Sequence, residues 1–305
     1  MKITTDSLAH FLFEDSTNQP MPIRGNIVHL NHTFTQVLQH QNLPTVLKQA
    51  LGELMAASAL ISATLKMDGV MVLQLQSKGA LKLLVVECSS DLKIRATAKW
   101  DAERLDEIMQ NTFIQLVQSG HFVITLDSTK SEANQGQIYQ GIVPIEGETI
   151  AQMLENYMLR SQQIDTSLWL HCDGESACGM LLQKLPNQHE LDHDAWNRMN
   201  LLADTVSNDE LQNLAPEILL SRLFVEENVR LFAAKTTQFH CSCSQNSVAS
   251  MLRLLGADEV NSILAELGKI EVNCDFCNKH YAFDAIDATA LLNEKTAFIK
   301  NRRSH

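Results

Sequence analysis

Four of the seven cysteines, Cys241, Cys243, Cys274 and Cys277, fall within one window of 37 residues. They form two close pairs, Cys241-Ser242-Cys243 and Cys274-Asp275-Phe276-Cys277, with 30 residues between them. Four thiolates are the number that closes a tetrahedral structural zinc site, so this spacing points to one Zn2+ per chain. His240 and His280 stand next to the pairs and could replace a thiolate. On spacing alone, zinc need only hold its own segment together, because a segment of about 55 residues buries too little apolar surface to fold without a staple.

The first pair is Cys-x-Cys rather than the Cys-x-x-Cys usual in zinc knuckles. Alternate residues of an extended chain lie about 6.6 to 7 Å apart, the outer limit for a disulfide, so bridging Cys241 to Cys243 would require a bent backbone. A strained disulfide is easily reduced again. Cysteines that share zinc as thiolates, oxidise in pairs and then lose the metal can form a reversible redox sensor. Where the metal contributes folding free energy, oxidation also changes conformation.

Around the cysteines, Ser247 to Leu255 and Asp258 to Leu267 carry helical spacing and turn at Gly256, and Lys269 to Asn273 reads as a strand delivering the second pair. Upstream, Leu43 to Lys66 predicts one long helix after a short extended stretch at Ile23 to Leu30. Val70 to Ser77, Leu81 to Ser89 and Lys93 to Ala98 predict an antiparallel meander, extended by His121 to Asp127 and Gln137 to Val143. A helix over Glu148 to Ile164 and a hairpin of Leu168 to Asp173 with Cys178 to Lys184, turning at Gly174, complete the first domain. Strands in a run with helices before and after give an α+β class. Stripes such as Leu54, Ala57, Ile61 and Leu65 read as core, part of which could become binding surface on activation. Cys88, Cys172 and Cys178 read as small buried residues, although Cys172 and Cys178 flank the turn and could be cross-strand neighbours.

The chain has 305 residues and a formal charge of −12, from 24 Lys plus Arg against 36 Asp plus Glu. Half of that charge lies between Pro186 and Arg230, where nine acidic residues face three arginines in 45 residues. The apolar residues there, Leu201, Leu202 and Val206, then Ile218, Leu219, Leu223 and Phe224, keep helical spacing. The segment therefore predicts linked amphipathic helices that need a docking surface. The organisation expected is an α+β core domain with an antiparallel sheet over 1–185, an acidic, metastable helical linker over 186–238, a small zinc-binding redox-switch domain over 239–292 and a basic tail over 293–305.

These residues resemble the heat shock protein 33 family of redox-regulated chaperones. The resemblance is carried by Arg222-Leu223-Phe224-Val225-Glu226-Glu227-Asn228-Val229-Arg230-Leu231-Phe232, by Phe239-His240-Cys241-Ser242-Cys243, by Leu255-Gly256 and by Gly268-Lys269-Ile270-Glu271-Val272-Asn273-Cys274-Asp275-Phe276-Cys277. The first domain adds Gly179-Met180-Leu181-Leu182-Gln183-Lys184-Leu185-Pro186 and the helix Tyr157 to Gln163. The resemblance implies a reduced, zinc-bound and inactive form with ligands Cys241, Cys243, Cys274 and Cys277. Oxidation would then pair Cys241 with Cys243 and Cys274 with Cys277, expel zinc, unfold the linker and expose a surface that holds unfolding client proteins without ATP. It also implies an active homodimer. This chain departs from the family at Gln245-Asn246-Ser247, where a charged run is usual, and at Gln162, where Glu is usual.

The acidic balance argues against a general affinity for nucleic acid or anionic membranes. A zinc-ribbon nucleic-acid regulator would need Lys and Arg around the cysteines, and a thiol oxidoreductase using Cys274 and Cys277 would need a βαβ setting. His189-Glu190-Leu191-Asp192-His193 matches a zinc-protease motif formally, with Glu210 and Glu217 as conceivable third ligands, but no long apolar helix surrounds it and it reads as a solvated helix start. No phosphate-binding glycine loop or nucleophile elbow is present, so no catalytic residue is assigned. Met1 to Asp6 lacks the basic start and apolar run of a secretory signal, and Leu54 to Leu65 is too short to span a membrane; a cytoplasmic protein is the expectation.

Overall fold

The computed structural model describes residues 6–65, 68–128, 136–186, 194–288 and 290–291. It divides into two compact units, Met1–His240 and Cys241–His305. In chain order the first unit contains β1 (Ser7–Glu14), β2 (Pro20–Leu30), α1 (His32–Leu38), α2 (Thr45–Ser62), β3 (Val70–Gln76), β4 (Leu81–Ser89), β5 (Lys93–Trp100), α3 (Leu105–Gln110), α4 (Phe113–Val117), β6 (His121–Asp127) and β7 (Ile138–Val143). There follow α5 (Ile150–Tyr157), β8 (Thr166–Cys172), β9 (Ala177–Lys184), α6 (Ala195–Ala203), α7 (Asn208–Asn213), α8 (Pro216–Leu223), β10 (Asn228–Leu231), β11 (Lys235–Thr236) and β12 (Gln238–Phe239). The chain is α+β, as expected.

The predicted meander forms one sheet in the order β12-β5-β4-β3-β6-β7. Its alternation is plain in β3, where Met71, Leu73 and Leu75 are buried and the residues between them are not. A second sheet runs β10-β1-β2-β9-β8, with β11 also pairing with β1. The long predicted helix, α2, lies against strands of both sheets. Thirteen of its eighteen residues are buried, including Leu54, Ala57 and Ile61, as befits a helix apolar almost all round. Gly52 permits close packing: a Cβ there would lie 2.4 Å from Cys172 Sγ.

The second sheet is covered on both faces, and its residues divide with period two. Leu8, Val28, Leu30, Leu168 and Leu181 join α2 in the main core. Phe11, Phe13, Ile23, Ile27, Met180 and Leu182 point the other way and join Met199, Leu211, Leu219, Leu220, Leu223 and Phe224 of the α6 to α8 region in a second core. All of β9 but Lys184 is buried, the burial pattern of a strand covered twice. Cys172 belongs to the main core and Cys178 to the second, so the two thiols face opposite sides of the sheet.

Two expectations are refined. The helix expected over 148–164 is α5 followed by a π-helical turn at Met158–Gln162, which ends where Gln163 adopts a left-handed φ of 55°. Strand β1, with no counterpart in the sequence reading, buries Phe11 and Phe13 beneath the linker helices. The second unit contains α9 (Gln245–Leu255), α10 (Ala257–Leu267), β13 (Ile270–Asn273) and β14 (His280–Phe283), meeting at Gly256 and at the β13–β14 hairpin. No helix among the described residues is long and apolar enough to cross a membrane.

Candidate metal centre

One cysteine pair lies in extended chain before a helix and the other in a turn. Cys241 and Cys243 precede α9, whose cap Ser244 accepts the Ser247 N–H at 3.1 Å. Cys274 and Cys277 form the tip of the β13–β14 hairpin. Cys274 N–H donates to the Lys279 carbonyl at 2.9 Å, its own carbonyl accepts the Asn278 N–H at 2.8 Å, and Asn278 takes a left-handed φ of 55°, which asparagine tolerates better than most residues. This hairpin is not a βαβ setting, so the structure gives no support to oxidoreductase use of the pair.

The fold brings the four sulfurs within 4.8 Å of one another. Cys241 Sγ lies 3.6 Å from Cys274 Sγ and Cys243 Sγ lies 3.4 Å from Cys277 Sγ, so the shortest separations run between the pairs. Four sulfurs about 2.3 Å from a tetrahedral metal would stand about 3.8 Å apart, so the arrangement fits a metal of that kind with little rearrangement. Neither histidine belongs to the cluster. His280 instead bonds through Nδ1 to Asn273 Oδ1 at 2.9 Å, with Nε2 3.3 Å from Glu271.

Sequence reasoning missed Tyr281. Its hydroxyl donates to Cys243 Sγ at 3.1 Å, and Lys279 Nζ stands 5.5 Å from its ring centroid. Burial opposes ionisation of Cys243, but hydrogen bonds from Tyr281 and from the neighbouring thiols outweigh it and bring its pKa down to about 7. Burial pushes Cys277 up to about 12, and its hydrogen bond to Cys243 acts in the same direction. Within this contacting pair Cys243 is the more acidic thiol. Among the groups that lower the Cys243 pKa the Tyr281 hydroxyl comes first. An aromatic residue at every second position of β14 was the available signal, but a hydroxyl's partner depends on tertiary packing.

The other thiols are chemically quiet. Burial raises Cys88 to about 11 and Cys172 to about 12, and raises Cys178 further. The His189 to His193 motif lies outside the described residues. Of its conceivable partners, Glu210 is engaged in a capping box with Ser207 and in an ion pair with Arg222 at 2.7 Å.

Around the cysteines the described residues of the second unit form a small core of Ala249, Leu252, Val260, Ile270, Tyr281, Phe283 and Ala288, against which Cys243 and Cys274 pack. A core of that size leaves much of the unit's stability to whatever the four sulfurs hold.

A family model described as Hsp33 protein matches residues 6–284. The 33 kDa chaperonin of Methylobacillus flagellatus is 54% identical over 303 residues, 99% of either chain. That of Chromobacterium violaceum is 45% identical over 288 residues, 94% of either chain. The crystal structure of the 33 kDa chaperonin of Thermotoga maritima shares the fold with a TM-score of 0.76, over 96% of this chain and 99% of that one, at 19% identity. A family match and close relatives that both span nearly the whole length lead to one conclusion: this chain belongs to the Hsp33 family.

Proposed function

We infer that this protein is a redox-switched, ATP-independent holdase that binds unfolding client proteins. The observation carrying the reading is the four-sulfur cluster in a unit too small to be stable without it. Zn2+ held by Cys241, Cys243, Cys274 and Cys277 would keep the sulfurs as thiolates and close the unit. Thiolates so held are the nucleophiles toward a peroxide. Formation of the Cys241–Cys243 disulfide passes two electrons to the peroxide, which is reduced to water, and a second equivalent gives Cys274–Cys277. Each disulfide would remove two of the four sulfurs that could hold Zn2+, so the unit would lose its staple.

The chain offers a direct route for that change. His240 N–H donates to the Ile94 carbonyl at 3.0 Å and β12 pairs with β5 in parallel, and the next residue is Cys241. Loss of order at Cys241 therefore pulls on the end of the 186–238 linker. That linker holds α6 to α8 on the second sheet and still exposes Leu201 at 70%, Ile218 at 51% and Val225 at 78%. Its acidic charge works against docking while its apolar face favours it. Release would uncover Phe11, Ile27, Met180 and Leu182, an apolar surface for clients. The active form is a homodimer in this reading, and the protein acts in the cytoplasm.

The test is to add peroxide at a mildly unfolding temperature while following zinc release and the aggregation of a client together. Zinc release should precede suppression of aggregation. Full suppression with the metal retained would overturn the mechanism.

A further inference from the structure

A cleft of about 330 Å³ opens in the first unit, away from the cysteines, where the edge of the second sheet meets the β4–β5 turn. Arg24 and His10 line it from β2 and β1, and Phe232 and Lys235 from the segment around β10 and β11. Leu8 and Leu92 supply apolar wall, and no carboxylate lines it, although acids outnumber bases in this chain.

The positive charges in the cleft are not neutralised from within. Arg24 donates through Nε and Nη2 to Gln183 Oε1 at 3.0 and 2.5 Å, and through Nη2 to the Thr64 carbonyl at 3.1 Å. These neutral acceptors fix the guanidinium plane and leave Nη1 without a partner among the described residues. Burial lowers the Arg24 pKa, the mark of a cation taken partly out of water without a counter-charge. Lys235 has no ion-pair partner among the described residues. The carboxylates next to the lining are Asp68, which accepts the Ser90 hydroxyl at 3.2 Å, and Asp91, which is paired with Lys93 at 2.7 Å. Arg230 stacks on Phe232, its Cζ 5.1 Å from the ring centroid. A held guanidinium with one open nitrogen, Nη1, an exposed ammonium and a partly apolar wall form a recognition set for a doubly charged anion with a small organic body.

We propose that this cleft binds a small phosphate monoester, with Arg24 and Lys235 on the phosphate and Leu8, Leu92 and Phe232 against the organic group. Because Arg24 belongs to the sheet and Lys235 to the segment after α8, a bound ligand joins the two and stabilises their docked arrangement by mass action. The site does not depend on the redox reading, since its test needs neither oxidant nor client.

Calorimetric titration of the reduced full-length protein with phenyl phosphate should give saturable binding of one molecule per chain, about tenfold tighter than inorganic phosphate, with a rise in melting temperature. Lys235→Gln, at an exposed position, and Arg24→Gln should each weaken binding about tenfold, Arg24→Lys less, and Lys82→Gln not at all. No saturable binding up to about 10 mM would overturn the proposal, as would equal affinity in Lys235→Gln and wild type. Benzoate binding as tightly as phenyl phosphate would overturn the assignment to phosphate.

Discussion

One face of the second sheet is covered by α2, the other by α6, α7 and α8. Among the described residues the α2 side belongs to a cluster of 42 buried apolar residues, while the opposite cluster has 15. The α2 side interlocks two sheets around a helix that is nearly all apolar. The other cover consists of three short helices, held by Phe224 edge-on to Phe13 at 4.9 Å, by Trp169 Nε1 donating to Asp204 at 3.1 Å, and by the ion pair of Arg198 with Glu227 at 2.7 Å. Short helices are marginal without docking, so the two covers of one sheet differ in how far they depend on it for their stability.

Cavities should separate the two most sharply. Leu54→Ala, at a fully buried position on α2, should cost about 3 to 5 kcal/mol and lower the global urea transition. Leu219→Ala, equally buried on α8, should instead raise hydrogen exchange across 195–223 and leave the protection of β3, β4 and α2 unchanged. Equal loss of protection in both regions would mean a single cooperative unit.

Added methyl groups sharpen the contrast. Gly52→Ala pushes into Cys172 and should cost about 1 to 3 kcal/mol of global stability. Gly25→Ala places Cβ 2.0 Å from Phe11 Cζ and should act on docking of the linker helices, because Phe11 packs against Phe224.

Acid should move the two covers in opposite directions. His29 Nε2 bonds to the Leu211 carbonyl on α7 at 2.9 Å, Nδ1 has no partner among the described residues, and burial lowers the pKa from 6.5. Below about pH 6.5 His29 takes up, once the linker helices leave it, a proton that it refuses while they are docked, so docking weakens by up to about 1.4 kcal/mol per pH unit until the docked pKa is reached. Glu53 on α2 is raised by burial from 4.5 to about 7, so the folded state holds the extra proton and acidification through that window favours it. From pH 7.5 to 5.5 the protection factors, taken against the intrinsic exchange rate at each pH, should fall over 195–223 alone, and His29→Gln should remove that dependence. The smallest effect belongs to Arg198→Ala, about 1 kcal/mol or less, read as a slight quickening over 195–203 that vanishes in high salt.

Regular alternation made β3, β4 and β6 legible with their boundaries nearly in place, and the alanine-rich run made α2 legible. The four-cysteine cluster was legible for a related reason, since thiolate chemistry depends on residue type and number. Strand β1 was not, because His10 sits among its apolar residues and bonds to Asn26 at 2.8 Å, a satisfaction that only the neighbouring strand reveals. Tyr281, His29 and the opposite facing of Cys172 and Cys178 were hidden similarly: each depends on which groups meet across the fold.

The pairing of β1 has a consequence for the kind of client such a protein could hold. Along Phe11–Glu14 it pairs with β10 and at Ser7 and Leu8 with β11, both of which lie within the same acidic segment as the linker helices. A release that carried β10 and β11 away with α6 to α8 would turn β1 from an interior strand into an edge. Its main-chain N–H and C=O groups would then be open to any extended chain, whatever its sequence. Breadth of client choice would follow from the backbone, which every unfolded protein shares, as well as from apolar side chains.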